Sequence, residues 1–103
     1  MRIIAKRTLV NYFSKHTKSK SSLQSFVKEA EVAIWEKPND IIQRYPSSDV
    51  INGKRFVLNI SGNHFRLIVD IEFKLKIVFI VWIGTHSEYD RINVKEVKYV
   101  KNN

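Results

Sequence analysis

A cluster of polar residues directly follows the most apolar stretch of the chain. The stretch covers residues 77–83, and the polar residues after it read Gly84-Thr85-His86-Ser87-Glu88-Tyr89-Asp90. A buried strand would hold such a cluster at its end on a rigid support. His86 and Tyr89 are three residues apart, so on a helix they project from one side, and both side chains can transfer protons.

Two members of this cluster have a structural explanation. Thr85 and Glu88 match a capping box, in which the Thr85 side chain bonds the backbone N–H of Glu88 and the Glu88 carboxylate reaches back to the Thr85 N–H. The pattern predicts a helix that begins at this point, and it leaves His86, Tyr89 and Asp90 as candidates for chemistry. A helix N-terminus also favours the binding of a phosphate, because its N–H groups are free.

The sequence gives no support to metal or cofactor chemistry. His86-Ser87-Glu88 matches the first half of the zinc deaminase signature, but that signature continues with Pro-Cys-x-x-Cys and the chain has no cysteine. His64, His86, Glu88 and Asp90 have no recognisable metal-ligand spacing. There is no glycine-rich phosphate loop and no Gly-x-Ser-x-Gly elbow. We therefore expect neither a metal nor a cofactor.

The charge of the chain points to an anionic partner. Its 103 residues include 18 Lys and Arg against 10 Asp and Glu, a formal net charge of +8. Such a surface attracts polyanions, of which nucleic acid is one. The basic residues are dispersed, so a binding surface must be assembled by folding. No apolar run approaches the ~20 residues that cross a bilayer, and the N-terminus does not read as a signal peptide. We expect a cytoplasmic protein without a membrane contact, formed by one domain over residues 1–103.

The first third of the chain has helical periodicity. Apolar side chains recur at helical spacing over residues 7–16 and again over residues 23–34, which predicts two helices. The Ser- and Lys-rich residues 17–22 form their connection, with Ser21 or Ser22 as the N-cap of the second helix.

A proline marks the end of this helical region. Pro38 is predicted to end the second helix, because the residue before a proline avoids helical geometry. Asn39 or Asp40 would then cap a short helical turn, and residues 46–49 are predicted to be loop.

Beyond the turn dipeptide Asn52-Gly53 the period of the sequence becomes two. Alternating residues 56–60 and 65–71, followed by the wholly apolar residues 77–83, predict an antiparallel meander whose third strand is covered on both faces. Residues 2–6 can add a strand, and residues 94–100 fit strand and helix equally. The predicted fold is α+β, with an N-terminal helical pair packed on an antiparallel sheet of three to four strands.

Two motifs carry a resemblance to a known family. Gly62-Asn63-His64-Phe65-Arg66 matches a Gly-Asn-x-Tyr-Arg motif with Phe65 in place of the tyrosine, and Leu58 stands where that family usually has phenylalanine. The second motif, Thr85-His86-Ser87-Glu88-Tyr89-Asp90, matches Thr-His-x-x-Tyr-Asp. In both, the chain resembles the HigB-type mRNA interferase toxins of the RelE superfamily, and the resemblance extends over nearly the whole chain.

The resemblance implies an endoribonuclease that cleaves mRNA, commonly on translating ribosomes. Cleavage without a metal needs a deprotonated 2′-hydroxyl, a stabilised phosphorane and a protonated leaving oxygen. His86 and Tyr89 would serve the proton transfers. Arg66, carried over from the first motif, would hold the scissile phosphate through two hydrogen bonds. The alternative role for Arg66 is a salt bridge with Asp70 on the same strand.

Further contacts and partners complete the expectation. The RNA-binding set comprises Lys54 or Arg55 as a second cation, together with Asp90 and Arg91 beside Tyr89. The resemblance also implies a cognate HigA-like antitoxin with a helix-turn-helix, through which alone operator DNA would be bound. The alternative function is a non-catalytic RNA- or ribosome-binding module, in which His86 and Tyr89 only stack on or bond to bases.

Overall fold

Two helices joined by a tight turn form the N-terminal part of the structure. The computed structural model describes residues 1–99, in which α1 is Lys6–Lys15, a 3-10 turn is Thr17–Ser19 and α2 is Lys20–Val32. The predicted helical pair is therefore present. The predicted N-cap is wrong, because α2 begins at Lys20, and the N-cap residue Ser19 is buried and donates its hydroxyl to the His16 carbonyl at 2.7 Å.

The second helix also ends earlier than predicted. Ala33 is already extended, and the Ile34 side chain is 78% exposed, so the apolar stripe of α2 stops at Ala30. Pro38 begins the next helix, α3 (Pro38–Arg44), where its missing N–H costs nothing. Asp40 lies inside the first turn of α3, and its carboxylate accepts the Glu36 and Lys37 backbone N–H groups at 2.8 and 3.3 Å. Asp40 thus caps the helix from within, contrary to the predicted position.

The sheet has five strands in the order β1-β5-β4-β3-β2. The strands are β1 (Arg2–Ile4), β2 (Asp49–Val50), β3 (Arg55–Ile60), β4 (Phe65–Glu72) and β5 (Ile77–Thr85). The predicted meander β3-β4-β5 is present and antiparallel. The prediction of a purely antiparallel sheet of three to four strands was wrong in two respects. The strand β2 adds a further antiparallel edge, and β1 pairs in parallel with β5. The helices between β1 and the meander supply the crossover that a parallel pair requires.

Both faces of the sheet are covered. On the helix face, the residues of α1 and α2 pack on the meander, and Val78, Ile80 and Ile83 of β5 join that core. On the opposite face, Val57, Ile68 and Val81 form a second small core under the chain that follows β5. We call this the tail face, and its cover is contributed by partly buried Tyr89, Ile92, Val94 and Val97. The apolar character of β5 on both sides reflects these two cores.

The tail, residues 91–99, crosses the sheet as irregular chain. After α4 (His86–Tyr89), residues 91–99 form turns and loops with no helix or strand. The sequence pattern of residues 94–100 fitted a strand and a helix equally. Residues 94–99 form neither, and residue 100 lies outside the described residues. No helix in residues 1–99 is long and apolar enough to span a membrane.

A largely buried ion pair ties the tail to the sheet. The Arg55 side chain, 11% exposed, bonds the Asp70 carboxylate through Nε and Nη2 at 2.7 and 2.8 Å. Its Nη1 donates to the carbonyls of Val94 and Val97 at 3.0 and 2.7 Å. The hydrogen bond with Asp70 raises the pKa of the guanidinium, outweighing the effect of burial. Arg55 thus fixes the tail across the second core.

Replacing Arg55 should unfold the protein more easily. Arg55→Ala leaves the Asp70 carboxylate and two tail carbonyls without their partner, and we expect a loss of about 3–5 kcal/mol in the free energy of unfolding. Lys54→Ala is the matched control, because its exposed ion pair with Glu72 should change stability little. Urea unfolding of the two variants measures the difference. Equal midpoints would show that Arg55 does not hold the tail.

Candidate active site

The candidate site lies at the end of β5, where strand turns into helix. The Thr85 hydroxyl accepts the Glu88 N–H at 3.2 Å, and the Glu88 carboxylate accepts the Thr85 N–H at 2.8 Å. This is the predicted capping box. The His86 N–H donates to the His64 carbonyl at 3.1 Å, which ties the corner to the turn between β3 and β4. The position of His86 is therefore set by two neighbouring loops.

His86 itself is open to solvent. Its side chain is 54% exposed, and Nδ1 lies 3.9 Å from the Asp90 carboxylate one helical turn later. That distance is too long for a direct hydrogen bond but close enough for attraction to a protonated imidazole. The capping box requires no imidazole at this position, so the ring is available for proton transfer.

Tyr89 turns its ring towards the sheet. It is partly buried against the second core, with its ring centroid 6.3 Å from that of Trp82. Burial is the main cause that raises the pKa of the Tyr89 phenol, and Asp49 adds to it, while Arg66 acts in the opposite direction. The phenol is therefore neutral at physiological pH and acts as a hydrogen-bond donor.

Arg66 lies on β4, directly between Asn59 of β3 and Gly84 of β5. Alternate strand residues share a face, so Arg66 lies on the tail face with Ile68. Its Nη1 donates to the carbonyls of Asn63 and Phe65 at 3.2 and 3.3 Å. Within residues 1–99 no carboxylate forms a salt bridge with Arg66, and Asp70 is bound by Arg55 instead. The Arg66–Asp70 alternative is thus wrong, and the Arg66 charge remains available to an anion.

Gly84 makes room for the aromatic residue beside the site. A Cβ at Gly84 would lie 2.3 Å from Cη2 of Trp82 and 3.1 Å from the Glu88 carboxylate. The Trp82 ring therefore covers the Gly84 backbone, and its centroid lies 6.3 Å from that of the Tyr89 ring. A β-bulge brings Trp82 there, because Ile68 pairs with Trp82 while Val69 pairs with Ile80. The sequence motif contained Gly84, but the bulge that gives it this function has no local signal.

Lys54 and Arg55 lie at the other end of the sheet. Arg55 pairs with Asp70, four residues from Arg66 along β4, which corresponds to about 13 Å. Lys54 forms an ion pair with Glu72, still farther along the strand. The prediction that either residue supplies a second cation beside Arg66 is not supported, because distance and prior pairing keep both away. Arg91 remains close to the corner, with its N–H bonded to the Glu88 carbonyl at 3.1 Å.

Two lysines of the helical connection, Lys18 and Lys20, lie near the corner instead. Ser22 and Ser61 share a hydrogen bond of 2.8 Å between their hydroxyls, and the Ser61 hydroxyl approaches the Lys18 carbonyl at 3.4 Å. The helical connection with exposed Lys18 and Lys20 therefore abuts the same β3–β4 turn that contacts His86. The sequence separates these lysines from His86 by more than sixty residues, so only the fold shows that they share an end of the molecule.

The fold and this corner define the class of the protein. A helical pair on one face of the meander, with a capped His/Tyr corner after its last strand, is consistent with the fold of the RelE-like toxins. The chain belongs to the HigB toxin family, described as the RelE-like toxic component of a toxin-antitoxin system, whose pattern matches residues 19–92. The predicted family is confirmed.

Named relatives agree with the family. The chain is 26% identical over 92 residues to the mRNA interferase toxin HigB of Escherichia coli strain K12, covering 87% of this chain and 88% of that protein. It is 28% identical over 94 residues to the mRNA interferase HigB of Escherichia coli O6:H1, covering 89% of this chain and 91% of that protein.

The contact between Gly84 and Trp82 gives a prediction about the site. Gly84→Ala places a methyl group inside the Trp82 ring, and we expect a loss of about 1–3 kcal/mol in the free energy of unfolding. Gly53→Ala is the control, because a Cβ there has no atom within 4 Å. Urea unfolding compares the two variants. If Gly84→Ala is as stable as Gly53→Ala, Trp82 does not occupy the space above Gly84.

Proposed function

We propose that this chain is an mRNA interferase, a toxin that stops translation by cutting messenger RNA. Its family membership supports the toxin role, and the names of its relatives support the endoribonuclease activity. In this proposal residues 1–103 act as one domain in the cytoplasm, on mRNA engaged with the ribosome. A cognate antitoxin, HigA-like and carrying a helix-turn-helix, holds the toxin inactive and alone connects it with operator DNA.

The proposed reaction is attack by the RNA's own 2′-hydroxyl. A base removes the 2′-hydroxyl proton, the 2′-oxygen forms a bond to phosphorus, and the bond from phosphorus to the 5′-oxygen breaks as that oxygen gains a proton. The products are a 2′,3′-cyclic phosphate and a 5′-hydroxyl. The step needs proton transfer and stabilisation of extra negative charge on the phosphate, and it requires no metal or cofactor.

Three side chains fit these roles. Histidine is the side chain that changes its charge near neutral pH, and the exposed imidazole of His86 can both accept and return a proton. Arg66 can bind a non-bridging phosphate oxygen, since no carboxylate in the described residues neutralises it. Tyr89 is a neutral donor that follows Gly84, the strand partner of Arg66, by five residues, and it can add a hydrogen bond to the same phosphate. The un-neutralised Arg66 next to this corner is the single observation that carries the proposal.

The surrounding charges define the proposed RNA-binding surface. The Asp90 carboxylate lies 3.9 Å from His86 Nδ1, at the same end of the molecule. Arg91, Lys18 and Lys20 lie exposed around the same end of the molecule and can contact flanking phosphates. Lys54 and Arg55 are not part of this surface. They lie at the other end of the sheet and form ion pairs with Glu72 and Asp70.

Substituting His86 tests the chemical role. His86→Gln keeps a hydrogen-bonding side chain but cannot transfer protons near neutrality, so the cleavage rate should fall by roughly 10²–10⁴-fold while the melting temperature is unchanged. His64→Gln is the matched control: the residue is also exposed, and its hydrogen bond to the corner uses the backbone carbonyl, which the substitution keeps. Primer-extension assays of mRNA cleavage in a cell-free translation extract measure both. Full activity in His86→Gln would favour the non-catalytic binding module.

The salt dependence of RNA binding tests the proposed surface. Each phosphate contact adds roughly −0.7 to the slope of log K against log salt for single-stranded RNA, so Lys18→Gln combined with Lys20→Gln should reduce the slope by up to about 1.4. Lys74→Gln combined with Lys76→Gln, at the opposite end of β4, should leave it unchanged. Binding titrations on the His86→Gln background avoid cleavage. An equal change in both pairs contradicts a localised surface.

A further inference from the structure

A groove lies beside the strand that carries the candidate site. It is formed between α1 on the helix face and the tail on the opposite face, and its volume is about 470 Å³. That volume is within the range of about 300–1,000 Å³ that is typical of small-molecule sites. Residues 81–83 of β5 form the floor of the groove. The groove is therefore large enough to hold one unit of a polymeric ligand.

The groove is close to the His86 corner. Its last floor residue, Ile83, precedes His86 by three residues, which corresponds to about 10 Å along the chain. Trp82 also lines the groove, and its ring centroid lies 6.3 Å from that of Tyr89. A ligand in the groove would therefore be a neighbour of an RNA phosphate bound at the corner.

A stacked pair of rings lines the groove on the α1 side. The Tyr12 and His16 rings are one helical turn apart, with their centroids separated by 4.1 Å and their planes inclined by 18°. The Tyr12 ring also meets the Phe65 ring edge-on, with centroids 5.9 Å apart. Because His16 is exposed, its imidazole is presented to solvent while Tyr12 supports it from behind. A ring held in this way is a platform on which a nucleobase can stack.

The other groups of the groove suit a nucleotide. Thr8 and Asn11 of α1 line it, and their hydroxyl and amide can exchange hydrogen bonds with the edge of a base. Lys15 and Lys98, both exposed, supply positive charge for a phosphate. Among the described residues, no acidic side chain lines the groove. Aromatic rings combined with cations are the means by which proteins bind single-stranded nucleic acid.

Other occupants fit the groove less well. A second copy of this chain would bring the same lysines to the same place, and the net charge of +8 adds to the repulsion. A small anion such as inorganic phosphate could use Lys15 and Lys98, but it would leave the aromatic platform unused. A single-stranded RNA uses both, because each of its units carries a base and a phosphate.

We propose that this groove holds one unpaired nucleotide of the mRNA beside the cleavage position, with its base stacked on the His16 ring and its phosphate bound by Lys15 or Lys98. This inference rests on the proposed function, because the strand in the groove is the one that is cut at the His86 corner. A base bound here fixes the register of the RNA. Its identity thus becomes part of the cleavage preference.

RNA oligonucleotides that lack one base test the stacking. Each abasic RNA keeps its phosphates, and binding is titrated with the His86→Gln protein so that no RNA is cut. At one position beside the cut, removal of the base should weaken binding roughly fivefold or more. His16→Ala, added to the same protein, should weaken binding of intact RNA by a similar factor. It should cause no further loss with that abasic RNA.

A variant that keeps a ring separates stacking from other effects of residue 16. His16→Phe retains an aromatic platform and should bind intact RNA about as tightly as the protein with His16. If His16→Ala weakens binding of intact RNA and of every abasic RNA by the same factor, no base stacks on His16 and the proposal is overturned. Unchanged binding in His16→Ala would overturn it as well.

The lysines give a second test of the same groove. Lys15→Gln combined with Lys98→Gln removes the two cations, and the slope of log K against log salt should fall by up to about 1.4. Lys74→Gln combined with Lys76→Gln makes the same charge change at the opposite end of β4 and should leave the slope unchanged. Equal changes in both pairs would show that the groove holds no phosphate.

Cleavage in a cell-free translation extract separates this proposal from the proposed function. Primer extension should show that His16→Ala still cuts mRNA but loses the base preference of the wild type at the stacked position. If the wild type cuts no mRNA, the proposed function fails, and the binding titrations still decide whether the groove stacks a base. If the wild type cuts and His16→Ala shows the same positions, rates and RNA affinity, only the groove proposal fails.

Discussion

The structure depends on one strand that is apolar on both sides. β5 contributes Val78 and Ile80 to the core under the helices and Val81 to the core under the tail, so it is stable only when both layers are in place. The helices between β1 and the meander supply one layer, and the irregular chain after β5 supplies the other. The candidate site stands where β5 ends and the tail begins, which makes its geometry a consequence of how the tail is held.

The ion pair between Arg55 and Asp70 connects this packing to the proposed chemistry. Asp70 bonds Arg55 across the β3–β4 pair, and that bond serves the tail by presenting the guanidinium to the Val94 and Val97 carbonyls. Within residues 1–99, the same ion pair leaves Arg66 without a carboxylate partner, on the strand next to the one that ends at the His86 corner. Arg55, which anchors the tail, and Arg66, the cation of the proposed site, are thus about 13 Å apart along the sheet. A protein with an Arg66–Asp70 pair would lose both the tail anchor and the free charge that the proposed reaction needs.

Local patterns in the sequence predicted what is local in the structure. The two helices, the antiparallel meander and the Thr85–Glu88 capping box follow from periodicity or from spacing of three residues. The parts that were missed depend on register. Asp70 faces Arg55 directly across the sheet but lies about 13 Å from Arg66 along its own strand, and no sequence pattern reports that pairing. The bulge that brings Trp82 over Gly84, and the approach of the helical connection to the β3–β4 turn, are likewise set by long-range contacts.

The central claim is that the RNA's 2′-hydroxyl is the nucleophile at the His86 corner. The most direct measurement uses two mRNA substrates that differ only in one sugar, ribose or 2′-deoxyribose, at a mapped cleavage position. The account predicts that the ribose substrate is cut to a fragment ending in a 2′,3′-cyclic phosphate, identified by mass spectrometry, and that the deoxy substrate stays intact. Equal cutting of both substrates would contradict the account, because cleavage would then proceed without the 2′-hydroxyl.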